Sequence, residues 1–159
     1  MAARKYPLDP LAKLREQHVD EATRELAEAV RAREAAEQRT RLAERERATA
    51  EERARLVREA ERAKLEGGEL KVADLQRADA WSVAVDEEQK QLAERVARAS
   101  AVESDARTGE AQQRATVATR KADAQVVEKD RAKWTEKAQK DAQAREEEEA
   151  QEAWRPKQG

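Results

Sequence analysis

The chain has no cysteine and no phenylalanine, and between Leu11 and Arg155 it has no proline. Without cysteine there is no disulfide and no thiolate metal site. Without proline over that span, nothing removes a backbone donor from the interior of a helix. Glycine is scarce too. Gly67, Gly68 and Gly109 are the only ones in the span, so the Gly-Gly step is the single strong break. Aromatics make up 3% of the residues, and alanine supplies most of the 38% hydrophobic fraction, too little bulk for a compact core. No apolar run approaches the roughly 20 residues needed to span a bilayer, and Met1-Ala-Ala-Arg-Lys-Tyr6 lacks the apolar region of a secretory signal. Neither charge sign dominates: 33 Lys and Arg face 35 Asp and Glu, for a net charge of −2. The signs are interleaved along the chain, which argues against a nucleic-acid surface and against a basic amphipathic face for lipid insertion. The expected location is the cytoplasm.

What is abundant is helix-forming. Ala, Glu, Arg, Lys and Gln dominate, and all favour the helix. Asp9-Pro10 reads as a helix start, with Asp9 as N-cap and Pro10 at the first helical position. From there a stripe with 4-3 spacing runs through Val19, Ala22, Leu26, Ala29, Arg33, Ala36, Thr40, Ala43, Arg47, Ala50, Ala54 and Val57. Nine of these twelve are apolar, as a coiled-coil seam requires. The first arm, residues 9–65, ends where Gly67 can take the left-handed terminating conformation. Residues 66–82 form a tip turn and a short helix, Glu69–Trp81, with Ser82 as a candidate cap for the next helix. The second arm, residues 83–139, carries a seam of Val85, Gln89, Leu92, Val96, Ala99, Val117, Ala124, Val127, Trp134 and Ala138, and 140–159 is a C-terminal extension. The fold class is therefore all-α: a long antiparallel two-helix coiled-coil hairpin with a short tip helix. Each arm is about 85 Å long at 1.5 Å per residue. A register that places Trp134 against Leu14 and Leu92 against Leu56 brings large apolar groups together. On the exposed faces, Glu37–Arg41, Glu51–Arg55, Glu94–Arg98, Glu103–Arg107, Glu110–Arg114 and Glu136–Lys140 have the spacing of helix-stabilising ion pairs.

No catalytic constellation emerges. His18 is the only histidine and lacks the set of partners a metal site needs, so it reads as an ordinary helix-surface or seam residue, and the acids Glu146–Glu149 read as a solvated helix end. A paired acid–base site needs a pocket to shift its pKa values, which a two-helix hairpin does not provide. The reading is not an enzyme, with no cofactor and no metal. The tryptophans are more informative because aromatics are rare here: Trp134 as seam packing, Trp81 at the tip as a contact residue or turn packing, and Trp154 beyond the paired region as an anchor or a loose end.

The stretch Leu11–Leu26, followed by Ala27-Glu-Ala-Val-Arg and Ala35-Ala-Glu-Gln-Arg-Thr-Arg-Leu42, resembles the N-terminal helix of the FliJ/YscO family of type III export stalk proteins. Leu75-Gln-Arg-Ala-Asp-Ala-Trp81, continuing through Val85, Gln89 and Leu92, resembles that family's tip leading into its second arm. The resemblance implies an antiparallel coiled coil that is a stalk of the flagellar or injectisome export apparatus at the inner membrane. Its base is held in an export ATPase ring, its tip reaches the export gate membrane protein, and it escorts export chaperones, with no nucleic acid and no membrane insertion of its own. Carried over by position, Leu11, Leu14, Val19, Trp134 and Ala138 lie at the ATPase end, and Leu42, Trp81 and Val85 face the gate. Where relatives commonly carry aromatics on the upper first arm, Arg45, Glu46 and Thr49 stand here. The alternative is a generic coiled-coil scaffold that self-associates through its Ala-rich seam, or a segment that folds only on a partner.

Overall fold

The structure, a computed structural model, describes residues 4–156. Two helices account for its regular secondary structure: α1, Asp9–Glu66, and α2, Val72–Trp154. The chain divides into two compact units. One joins the chain up to Ala27 with Gln112 onward, and the other is Glu28–Ala111. Within each unit the two helices pack on one another as antiparallel arms of a hairpin.

The helix ends follow from local chemistry. Ala12 N–H donates to the Leu8 carbonyl at 2.9 Å, which makes Leu8 the half-helical cap residue and puts Asp9 and Pro10 inside the first turn. Asp9 is thus not the N-cap, and its carboxylate pairs instead with Lys13 and Arg131. At the other end of α1, Gly68 N–H donates to Leu65 O and Glu69 N–H to Lys64 O, both at 3.1 Å. This is the Schellman pattern, in which the residue after the cap turns left-handed. That residue is Gly68, with φ +70°, and not Gly67. The next helix, α2, opens with Lys71 as cap. Asp74 reaches back so that its carboxylate accepts from Lys71 N–H at 3.1 Å, half of a capping box. No break occurs at Ser82. The expected Glu69–Trp81 helix starts only at Val72 and runs on as the first turns of α2, because no Gly or Pro stands between Glu69 and Thr108 to stop the helix.

The seams fall where the 4-3 spacing puts them. Of the twelve α1 stripe residues only Arg47 is exposed. The two sides differ in bulk. Buried apolar residues of α1 are Ala12, Ala22, Ala36, Ala50 and Ala54, whereas α2 supplies Val85, Leu92, Val117 and Val127. Small residues on one helix let branched ones on the other approach closely. The register differs from the pairing of large apolar groups. Leu14 and Leu56 are 46% and 53% exposed, and Leu92 is buried without Leu56 beside it in the seam. Ion pairs between the arms, Arg58 with Asp86 at 3.5 Å and Arg33 with Glu110, fix a register slid by about one turn from that expectation.

Candidate protein-contact surfaces

In the first unit, Tyr6, Ala12 and Val127 form a buried cluster against which Leu11 and Trp134 pack. Tyr6 precedes the helix, and its carbonyl accepts from Asp9 N–H at 3.2 Å. That turn lays the ring across α2. The Tyr6 and Trp134 rings meet edge to face at 5.7 Å, a favoured aromatic geometry. The Arg131 guanidinium sits 5.5 Å above the phenol ring. Tyr6 Oη donates to Asp130 Oδ2 at 2.5 Å. Burial comes first among the causes that push the phenol up to about 12, followed by the hydrogen bond to Asp130 and that carboxylate's charge. Asp9 pairs with Arg131, and Arg15 with Asp123 at 3.1 Å. An aromatic clamp ringed by three polar links thus ties the start of the chain to α2.

Of the residues assigned to this end, the structure brings Leu11 and Trp134 together. Leu14 points outward, Val19 lies half-buried in the α1 seam, and Ala138 is half-buried one turn beyond Trp134. Tyr6 is the residue that the sequence reading passed over. Its signal was available: it is the sole tyrosine, three residues ahead of a helix start.

In the second unit a charged network replaces the aromatic one. Glu110, 7% exposed, receives the Arg33 guanidinium. Arg33 also reaches Glu37 at 2.9 Å, and Arg107 bridges Glu37 at 3.3 Å and Glu103 at 2.7 Å. Hydrogen bonding from Arg33 holds the Glu37 carboxyl below the usual glutamate range, and Glu37 in turn raises the Arg33 value. Arg95–Glu46 at 3.7 Å adds another link between the arms. At the turn-proximal end Trp81 is half-buried and Val85 buried at 7%, while Val72, Leu75 and Val83 are exposed. Leu42, 56% exposed, does not join Trp81. It stands sixteen residues along α1 from Arg58, the residue that meets Asp86, or about 24 Å. A shallow groove of about 350 Å³ lies between Ala54, Arg58, Arg62, Val85 and Gln89. Glu51, Arg55 and Glu59 complete its lining. His18 is half-buried with Nδ1 unpartnered. Among the described residues, no group of three or more His, Asp or Glu is placed to hold a metal ion, and no helix is long and apolar enough to cross a membrane.

A family model described as YscO-like protein matches residues 3–154. The chain also resembles the solved structure of CT670 from Chlamydia trachomatis, a proposed YscO homolog. The TM-score is 0.82 at 20% identity, covering 94% of this chain and 92% of that one. At that identity the likeness is one of fold. No curated protein matches the sequence.

Proposed function

From the premise that this chain belongs to the YscO-like protein family, which relates it to type III secretion, we propose that it is a non-enzymatic stalk of a type III export ATPase complex. The observation that carries the reading is the family match over nearly the whole chain, 3–154. The hairpin packing within each unit supports it, since a paired helix resists bending better than a lone one. In this reading the base unit engages the ATPase ring, with Leu11 and Trp134 held by the Tyr6 clamp and Leu14, Val19 and Ala138 around them. Trp81, with Val85 one turn along the same face, serves the export gate, and chaperones dock on the same assembly. The chain lies against the membrane apparatus without entering the bilayer. The experiment is reconstitution: the purified full chain is added to the export ATPase while hydrolysis and ring formation are tracked. Stimulated hydrolysis with more rings is the expected result. Unchanged hydrolysis with no binding would remove the stalk role.

A further inference from the structure

Within the second unit the seam loses its bulk between two ion pairs that join the arms, Arg33–Glu110 and Glu46–Arg95. Residues 33–46 of α1 and 95–110 of α2 lie between these pairs, about 20 Å of helix. On α1 the residues there that are not exposed are Arg33, Ala36, Glu37, Thr40 and Ala43. On α2 beyond Val96 they are Ala99, Glu103, Ala106, Gly109 and Glu110. No apolar side chain larger than alanine is among these ten. The bulkier apolar residues nearby, Leu42 and Val102, are 56% and 51% exposed. Toward the turn, by contrast, Val85 and Leu92 are buried along with Ala50 and Ala54. Charge holds the bare stretch instead. Glu37 accepts from Arg33 at 2.9 Å and from Arg107 at 3.3 Å, and Arg107 also meets Glu103 at 2.7 Å.

The same stretch of α2 is a weak helix in its own right. Six of residues 100–109, namely Ser100, Val102, Ser104, Asp105, Thr108 and Gly109, rank low in helix propensity. Thr108 Oγ1 donates back to the Ser104 carbonyl at 3.1 Å, a bond that slightly destabilises a helix. Weak helix formers recur at residues 81–86, but there Trp81 and Val85 turn into the seam. The facing arm has the opposite character. Of residues 33–46 on α1, only Thr40 is not a strong helix former. Low propensity and a seam without bulk therefore coincide in one place and on one arm.

We propose that residues 100–110 of α2 form an opening segment, which unwinds and leaves α1 while α1 stays helical and the seam on the turn side stays closed. Regions with few buried apolar contacts open at a lower free energy than the rest of a protein. Arg33 and Glu37 are the latch, because Glu110 and Arg107 of α2 are held through them. Salt screens such charges, so ionic strength sets how often the segment is open. Opening uncovers Ala36 and Thr40, which the closed seam buries to 3% and 8% exposure. The segment belongs to the hairpin itself and does not rest on the export reading.

The test uses the full chain. Hydrogen exchange read by mass spectrometry and corrected for intrinsic rates should be about tenfold faster at residues 100–110 than at 85–95 or 117–127 of α2, and about tenfold faster than at 33–46 of α1. Raising salt from about 0.05 to about 1 M should speed exchange at 100–110 by about threefold and leave 85–95 unchanged. Because the chain has no cysteine, a thiol placed at a buried alanine gives a second reading. Ala36→Cys should react with a thiol reagent about tenfold faster than Ala22→Cys or Ala54→Cys, although the three alanines are 3%, 4% and 6% exposed. Ser100→Ala, Ser104→Ala, Thr108→Ala and Gly109→Ala combined raise helix propensity and should slow both readings by about tenfold. Arg33→Leu with Glu110→Leu trades the buried pair for apolar contact and should abolish the salt response. The exchange readings on the unaltered chain stand even if a variant fails to fold. Even exchange along α2, equal exchange in the two arms, or no response to salt overturns the proposal. So do equal thiol rates at the three positions, rates unmoved by the four alanines in a folded variant, or a salt response that survives the leucine pair.

Discussion

One substitution should have opposite signs at two glycines. Gly109 sits inside α2 with nothing within 4 Å of where a Cβ would stand. Alanine there removes the entropy cost of a helix-interior glycine without a clash. Gly109→Ala should stabilise the protein by about 1 kcal/mol, raising the thermal midpoint by about 2–4 °C for a chain of this size. Gly68 also has open space around it, but its φ of +70° is the left-handed conformation that ends α1. Gly68→Ala should destabilise by about 1 kcal/mol, the strain of a left-handed L-residue. Thermal unfolding monitored by circular dichroism reads both, and equal signs would refute the assignment of the turn. Tyr6 supplies a second residue-scale test, because it is the only tyrosine and its ionisation can be observed alone. Its phenol is held up to about 12, against an ordinary value of 10.0. The raised value favours the protonated form in the folded state. The associated stability is present in full below pH 10, declines as the unfolded phenol ionises, and is gone above about 12. Tyrosinate absorbance should rise near pH 12 in the native protein and near 10 in denaturant. Asp130→Asn should bring the native midpoint down, because that carboxylate supplies both the hydrogen bond and a repelling charge.

At the scale of the helix, the acid side of stability belongs to the Arg33 network. Arg33 depresses the folded value of Glu37, and Arg55 does the same for Glu52. A depressed carboxyl stabilises the fold above its ordinary value of 4.5 and loses that contribution as the pH falls through the folded value. The thermal midpoint should fall as the solution is acidified below about 4.5, and Arg33→Met should remove part of that dependence. A flat profile in the native chain would show these pairs to be solvent-screened and inert. The same network shows where sequence reading stopped. The α1 and α2 seams were legible because the 4-3 recurrence of Ala, Val and Leu is a property of each helix alone. The register was not, because the buried positions of α1 are nearly all alanine, and one alanine accepts a branched neighbour about as well as another. Arg33–Glu110 breaks that degeneracy, a role in which buried polar pairs are well attested, and the exposed Arg58–Asp86 pair has the same register. The same holds for ion pairs along one helix. Glu37–Arg41, Glu94–Arg98, Glu103–Arg107 and Glu136–Lys140 are present, but Glu51 turns to Arg47 while Arg55 takes Glu52 and Glu59. Where two partners compete, spacing alone does not rank them. The candidate base site was half legible. Leu11 and Trp134 lie together, but the Tyr6 that holds them lies outside any helical period, and only the tertiary turn through Asp9 brings it in.

For the whole molecule, the question that separates a stalk from a self-associating scaffold is whether the two helices that pack together belong to one chain. The absence of cysteine makes the answer accessible, since an introduced pair reports without background. Ala12 and Val127 share the buried cluster with Tyr6, so Ala12→Cys with Val127→Cys places two thiols across the pair of arms. A flexible chain held only by its alanine seam could exchange its second arm for that of a neighbour at high concentration, as domain swapping does. A hairpin closed within one molecule cannot. Oxidation, or a short bis-maleimide, should yield a cross-linked monomer at every concentration tried, with light scattering reporting the mass of one 18.0 kDa chain. The closed loop exceeds 100 residues, so the bridge should also raise stability by up to about 4 kcal/mol through the entropy it removes from the unfolded chain. Covalent dimers that grow with concentration would mean that the arms pair between chains, and the base cluster would then be a self-association surface instead of one end of a stalk.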